Sequence, residues 1–398
     1  MRTLCALLFL AFNSAGCHPE AKENQPTAAV RESIRRLDGT TLTSEQISNT
    51  VERLMSSAKV TGLALAILND GEVVYLSGFG VRDVEQTTPV TPNSVMSAAS
   101  FTKAMFAYTV MQLVEEGVIG LDTPVHEYLA KPLPNYPRYA DLTRDERWKQ
   151  FTTRMLLSHT AGLPNWRWFN PSKKLDIKFD PGTKYSYSGE GIDLLQFVVE
   201  QITGRPVEDL IRERVFTKFG MHRTGMKWKP EFKSDLAVGH DEQGRPLGHK
   251  QWKSASAAGS ADTDIAGMAA FLQGVLKGAS LSATTREEML TPQIRIRSLH
   301  QFPTPSDEVT DRDDAIKLSY GLGWGLFSSP YGKAFFKEGH DEGWEHYLVA
   351  FQDSGTAIVI MTNSSNGESI IEELLSTLLG DTYSPCRWNR YIPYNRSP

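Results

Sequence analysis

The strand-like runs of this sequence gather near its two ends, and that distribution limits the folds open to it. Thr61 to Leu68 is apolar, Asn69-Asp70-Gly71 is a hairpin turn signal, and Glu72 to Val81 returns as a second strand. Far downstream, Tyr320 to Leu326 and Ala334 to Lys337 alternate like strands, and His346 to Gln352 and Thr356 to Thr362 flank the turn Asp353-Ser354-Gly355. Between these groups the apolar periods are helical, over Ala104 to Gly117, Ile192 to Ile202, Val207 to Phe216 and Thr263 to Leu276. Ser44 to Ala58 and Glu368 to Leu379 read as amphipathic helices at either end, and Lys131 to Gln150, with three prolines, reads as loop. Strands from both ends around a helical middle predict an α+β chain. It has one mostly antiparallel sheet built from both termini, flanked by helices, with an inserted helical lobe over roughly 118–255.

The 398 residues suit two lobes or one large domain, and a net charge of -5 offers no basic face for nucleic acid. Met1-Arg2 is a short basic start, Leu4 to Phe12 is apolar but too short to span a bilayer, and Ser14-Ala15-Gly16 are small residues before Cys17. We read 1–16 as a signal peptide. Small residues before a cysteine also resemble a bacterial lipoprotein signal, in which Cys17 is the lipidated N-terminus; cleavage nearby without lipidation is the alternative. The protein is expected outside the cytoplasm, in the periplasm or anchored to a membrane through lipid alone. The segment 17–43 reads as a linker, 44–382 as the folded domain and 383–398 as a C-terminal tail. With Cys5 in the signal and Cys17 acylated, Cys386 has no partner, so neither a disulfide nor a paired-cysteine metal site is expected.

The chemistry starts at Ser100. Ser100 and Lys103 stand three apart at the head of the apolar run, where Phe106, Val110, Leu113 and Val114 repeat with helical period. On one helix face, a turn apart, the two side chains reach each other. A serine hydroxyl becomes a nucleophile when a neighbouring base takes its proton, and a lysine serves as that base once burial or nearby positive charge lowers its pKa. Taken alone the pair is also consistent with Ser100 as a plain helix N-cap. Ser56 and Lys59 have the same spacing, but among polar residues and before a strand, so they read as surface.

Two further motifs follow in order, Tyr187-Ser188-Gly189 and Lys337-Glu338-Gly339. The set resembles the serine beta-lactamase and penicillin-binding-protein superfamily, whose class C members, related esterases and D-amino-acid peptidases carry S-x-x-K, Y-x-N and K-T-G or H-x-G. The resemblance runs from about Thr61 to Thr362 and takes in Leu156 to Leu163, Pro181-Gly182-Thr183, Phe219-Gly220-Met221 and Tyr320 to Trp324. It implies the beta-lactamase/transpeptidase-like fold, with Ser100 as the acylated nucleophile and Lys103 as its proton partner. Tyr187 would be the acid/base for the leaving group and the deacylating water. By local chemistry Tyr185 is an equal candidate; the family register selects Tyr187. Two lysines beside a tyrosine would favour phenolate and lower its pKa.

The third motif has two registers. In the first, Lys337 brings positive charge to the cleft, Gly339 is the motif glycine, and the backbone N–H of His340 joins that of Ser100 in an oxyanion hole. In the second, His340-Asp341-Glu342 replaces it. In the second motif Gly189 stands where the family has asparagine. Glycine there leaves room and removes a polar contact, which suits an ester, amide or D-peptide-like acyl substrate better than efficient beta-lactam turnover. The expected partner is therefore a small-molecule or peptide acyl substrate. The alternative is a non-catalytic or slowly acylated sensor of cell-wall peptides on the same fold. No cofactor is implied. Ser158-His159 reads as framework, since adjacent side chains rarely face each other. His340, Glu342, Glu345 and His346 lack helical His-Glu-x-x-His spacing, so no metal is expected.

Overall fold

The computed structural model of the protein describes residues 33–396, so the stretch read as a signal peptide and Cys17 lie outside the described residues. A first helix, α1 (Ser44–Ala58), is closed at its N-terminus by a capping box between Thr43 and Gln46. Two long strands follow, β1 (Gly62–Asn69) and β2 (Glu72–Asp83), with a short β3 (Thr88–Pro89). Three more long helices come next: α2 (Phe101–Glu115), α3 (Gly189–Thr203) and α4 (Ile265–Lys277). The remaining strands of the main sheet are β4 (Ile294–Arg295), β5 (Ser319–Tyr320), β6 (Gly325–Ser329), β7 (Gly332–Asp341), β8 (Trp344–Phe351) and β9 (Thr356–Thr362).

These strands form one nine-stranded antiparallel sheet in the order β4-β5-β6-β7-β8-β9-β1-β2-β3. The two ends of the chain meet at the β9–β1 pair, in register from Ala357 opposite Leu68 to Thr362 opposite Leu63. Every residue of β1, β8 and β9 is buried, because both faces of the sheet are covered. Successive side chains point to opposite faces. Ala64, Ala66 and Leu68 join the core around α2, while Leu63, Leu65 and Ile67 pack with Val51 and Leu54 of α1 and with Leu374 and Leu378. Those leucines lie on a helical stretch, Gly367–Ile370, Ile371–Leu374 and Leu375–Leu379. The fold is thus α+β as expected, with terminal helices on one face and the helical lobe on the other.

Three boundaries differ from expectation. Ile34–Arg35 pairs with Thr41–Leu42 and Ile34 is fully buried, so packed structure begins about ten residues before α1's cap, inside the stretch read as a linker. The C-terminal stretch is no free tail either: Cys386, a free thiol, and Trp388 are buried in the terminal-helix core. Lys131 to Gln150 forms 3-10 turns at Leu133–Asn135, Pro137–Arg144 and Glu146–Gln150, the second with Pro137 in its first turn, where a missing N–H costs nothing.

Helix α2 is the central element. Phe101 to Leu113 is buried on all sides, the mark of a helix enclosed by structure. Its N-terminus meets β7. Strand β6 pairs with β7 only as far as Phe336, which leaves the edge from Lys337 to Asp341 without a strand partner among the described residues. That edge runs past the turn holding Ser100. Gly339 makes the approach possible: a Cβ there would lie 3.1 Å from the Ala98 carbonyl oxygen.

Candidate active site

Ser100 stands at the N-cap position of α2 without a side-chain capping bond, on a turn that the surrounding structure holds from several sides. Ala99 has φ 44°, a left-handed conformation that costs a residue with a Cβ roughly 1 kcal/mol or more. The turn is kept there by bonds from Thr102 Oγ1 to Ala99 O (2.7 Å), Ala261 N to Thr102 Oγ1 (3.2 Å) and Ala98 N to Ala261 O (2.8 Å). From the sheet, His346 Nε2 meets Ser97 O at 2.7 Å while its Nδ1 accepts from Thr362 N–H. Both ring nitrogens of His346 are committed to backbone, which makes it a structural histidine.

Lys103 is 1% exposed, and its Nζ donates to Ser100 Oγ at 3.0 Å and to Ala258 O at 2.5 Å. Burial, and then the nearby positive charge of Lys337, lower the ammonium to about 7. Spacing of three residues on α2 produces the contact; the enclosure that tunes the lysine comes from other elements.

Tyr187 precedes α3, whose N-cap is Ser188. Its ring packs against His159 with centroids 4.5 Å apart, and His159 Nδ1 accepts from Ser188 N–H at 3.2 Å. Burial, and then Lys337 and Lys103, hold this imidazole well below its usual value, so it is neutral. Ser158 Oγ instead pairs with Thr160 Oγ1 at 3.1 Å. The Ser158-His159 stretch therefore buttresses Tyr187. Lys337 Nζ donates to Tyr187 OH at 3.2 Å, and the phenol lies near enough to Ser100 for its hydroxyl to act on it. The ammonium groups of Lys103 and Lys337 both lie 4.9 Å from the Tyr187 ring centroid. The expected lowering of the phenol does not occur. Burial raises Tyr187 well above its usual range, the Glu338 carboxylate adds to that, and the nearby Ser100 hydroxyl only partly opposes it.

Lys337 and His340 separate in space. Lys337 is fully buried inside the cluster, and its Nζ also reaches Glu338 Oε1 at 2.7 Å and Glu338 O at 3.2 Å. The exposed His340 turns its Nδ1 to Glu345 Oε1 at 2.7 Å, and that bond raises the imidazole to about 9. Of the four residues weighed for a metal, His340 and Glu345 come together with Glu368, with ligand atoms within 4.8 Å of one another. The close ion pair between the first two accounts for their approach.

Ser100 and Lys103 open into a cavity of about 990 Å³, lined also by Asn165, Trp166, Tyr187, Glu338 and His340. A cavity of about 1100 Å³ elsewhere, lined by Phe219, Asp264 and Gln273, contains none of the three motifs, so the chemistry belongs to the first.

The model of the family described as Beta-lactamase matches residues 47–376. The chain belongs to the beta-lactamase family. Family membership brings serine-hydrolase chemistry with it. Penicillin-binding protein 4 of Amycolatopsis lactamdurans is 25% identical over 83% of this chain and 88% of its own length. The D-aminopeptidase of Gluconobacter oxydans is 24% identical over 82% of this chain and 60% of its own. Among solved structures, the octameric penicillin-binding protein homologue from Pyrococcus abyssi superposes with a TM-score of 0.68 at 23% identity, covering 86% of this chain and 80% of that one. That likeness shows the shared fold.

As a beta-lactamase-family site it departs from the motif pattern in a way the sequence did not reveal. Gly189 leaves no room. A Cβ at that position would lie 2.6 Å from the Trp166 indole, which fills the space beside it. Trp166 stacks on Trp168, with centroids 4.7 Å apart and planes 9° apart, and Lys103 Nζ sits 5.9 Å from its ring. An amide is nonetheless present: Asn165 lines the cavity and its Oδ1 accepts from Gly189 N–H at 3.0 Å. Restoring the motif by Gly189→Asn is expected to force Trp166 out and lower stability by about 1–3 kcal/mol, the usual cost of overpacking. The double variant with Trp166→Ala is expected to recover part of that loss. Thermal unfolding of both singles and the double checks it, and strictly additive losses would show that the two positions do not compete.

Sequence reasoning also missed Glu338, Gln301 and Asn389. Gln301 Nε2 donates to Glu338 Oε1 at 2.7 Å, and Asn389 Nδ2 donates to Gln301 Oε1 at 2.9 Å. The last two come from a loop and from the supposed tail, where no motif flags them. Glu338 was visible as the acidic residue inside the third motif.

Proposed function

We propose that the protein is a hydrolase that works through an acyl-Ser100 intermediate on ester, amide or D-peptide-like substrates, with esterase or peptidase activity ahead of beta-lactam turnover. The observation that carries this reading is the 3.0 Å contact between a buried, tunable Lys103 amine and Ser100 Oγ. Neutral Lys103 takes the Ser100 proton as Oγ bonds to the substrate carbonyl carbon. The negative charge moves to the carbonyl oxygen, facing the N–H groups of Ser100 and His340 in this reading, which the edge of β7 left by β6 past Phe336 supports. Tyr187 stands protonated, so it gives its proton to the leaving group as the carbonyl–leaving-group bond breaks, and the Lys337 ammonium 3.2 Å away stabilises the transient phenolate. Water then adds to the acyl carbon, passing its proton to the phenolate, and Ser100 leaves with the proton held on Lys103. Trp166 in place of a motif side chain, and the D-aminopeptidase relative, support ranking esters and peptides first.

Treatment with a fluorophosphonate probe, followed by peptide mass spectrometry, tests the nucleophile. The adduct is expected on Ser100 and is absent in Ser100→Ala. An adduct on another serine, or undiminished labelling of Ser100→Ala, overturns the assignment.

A further inference from the structure

The cavity wall beside Tyr187 is acidic where Lys337 was expected to make it positive. Lys337 Nζ has three N–H groups and three partners: Tyr187 OH, Glu338 O and Glu338 Oε1, at 3.2, 3.2 and 2.7 Å. Its charge is spent inside the protein. Glu338 faces the cavity instead. Its side chain is 6% exposed, and its orientation is set. Oε1 accepts from both Lys337 and Gln301, and Gln301 is itself held by Asn389 Nδ2 and by its N–H to Trp388 O at 2.9 Å. The other oxygen, Oε2, is buried and has no hydrogen-bond partner among the described residues. A buried carboxylate oxygen without a donor is costly, and a ligand that supplies the donor recovers that cost. Asp341 and Glu368 line the same cavity. Of the cationic groups that line it, Lys250 and Arg390 are exposed to solvent, where a charge pair is weak, the His340 imidazolium is already paired with Glu345, and Lys103 is bonded to Ser100 and Ala258.

We propose that Glu338 selects substrates whose leaving part carries a cationic amine or an amide N–H close to the scissile bond, and rejects those that end there in a free carboxylate. This rests on the acyl-Ser100 reading, which makes Tyr187 the leaving-group acid and so puts the Lys337–Glu338 pair on the leaving-group side. A donor on that part is drawn to the Glu338 carboxylate, whose Oε2 is the oxygen left without a bond. A carboxylate there meets a like charge in an enclosed site and finds no free ammonium, a combination of attraction and repulsion that gives discrimination. The chain is then an amidase or esterase for blocked or amine-bearing leaving groups, and a poor carboxypeptidase.

Three N-acetyl-D-alanyl thioesters test this, with mercaptoacetate, mercaptoacetamide and 2-(dimethylamino)ethanethiol as leaving groups. Each releases a thiol that can be read directly, and each can also be scored by how far it protects Ser100 from the fluorophosphonate. Comparing the same substrates between wild type and Glu338→Gln cancels their intrinsic reactivity. The glutamine keeps an acceptor for Lys337 and Gln301. The amine-to-carboxylate ratio of kcat/KM is expected to fall at least tenfold in Glu338→Gln, about 1.4 kcal/mol. In the absence of turnover, the order of protection in the wild type is expected to be amine, amide, carboxylate. An unchanged ratio, or a wild type protected as well by the carboxylate as by the amine, overturns the role of Glu338 while leaving acyl-Ser100 intact. Failure of wild-type Ser100 to be labelled overturns the reading beneath it. If Glu338→Gln does not fold, the wild-type protection order decides.

Discussion

Replacing Lys103 with methionine is expected to slow acylation of Ser100 by about 10²–10⁴-fold, the usual contribution of a positioned base. Methionine matches the lysine stem in length and suits a buried site, so the variant should fold and its unfolding temperature should stay close to that of the wild type. The wild type should also show a titration that the variant lacks. In the proposed mechanism Lys103 accepts the Ser100 proton only as the neutral amine, and burial beside Lys337 brings its ammonium down to about 7. Below that pH the group is protonated and acylation slows with each added proton; above it the rate levels off. The folded-state pKa is depressed, so the neutral, active form accumulates as pH rises, far earlier than for a free lysine at roughly 10.4. Acylation rates measured across pH with a non-ionising ester should rise through about 7 in the wild type and be flat in Lys103→Met. The same rising limb in both proteins would remove Lys103 from the role of base.

The second large effect is expected from Tyr187→Phe, and its size should depend on the leaving group. The ring keeps its packing on His159 and Phe302, so only the hydroxyl between Ser100 and Lys337 is lost. With alkyl esters or amides, whose leaving groups need a proton, kcat/KM should fall by about 10²–10⁴-fold. With p-nitrophenyl esters, whose leaving group departs as an anion, the loss should stay within about tenfold by the same argument. A series of esters with graded leaving-group pKa reads this as a steeper dependence in the variant. An equal loss across the series would make Tyr187 a support for Ser100 or Lys103 with no proton to give. The raised pKa of the phenol is what decides between acid and base at the start of the cycle.

The α+β class and the meeting of the two chain ends in one sheet were legible because strand pairing rests on local alternation and turn residues. The hairpins at Asn69-Asp70-Gly71 and Asp353-Ser354-Gly355 stand where those residues predict. The Ser100–Lys103 contact was legible for a similar reason: three residues on one helix fix it. Tyr187 needed the family register to distinguish it from Tyr185. In the structure Tyr187 reaches Ser100 and Lys337, whereas Tyr185 packs against Tyr320 and Trp388.

What the sequence determined by itself, then, is the set of relations that span a few residues: element types, the serine–lysine spacing and the order of the three motifs. The tertiary structure decided the relations between elements. It turned Lys337 inward onto Glu338 and His340 outward onto Glu345, a choice that two overlapping registers on one strand left open. It filled the space beside Gly189 with Trp166, which a sequence reader sees only as an aromatic in a loop. It brought Gln301 against the third motif across 37 residues of chain, and Asn389 against Gln301 across 88. It also reversed the expected shift of Tyr187, because the sign depends on burial and on a carboxylate as much as on two lysines. Solvent exclusion and the sum of neighbouring charges are properties of the packed fold, and no spacing along the chain contains them.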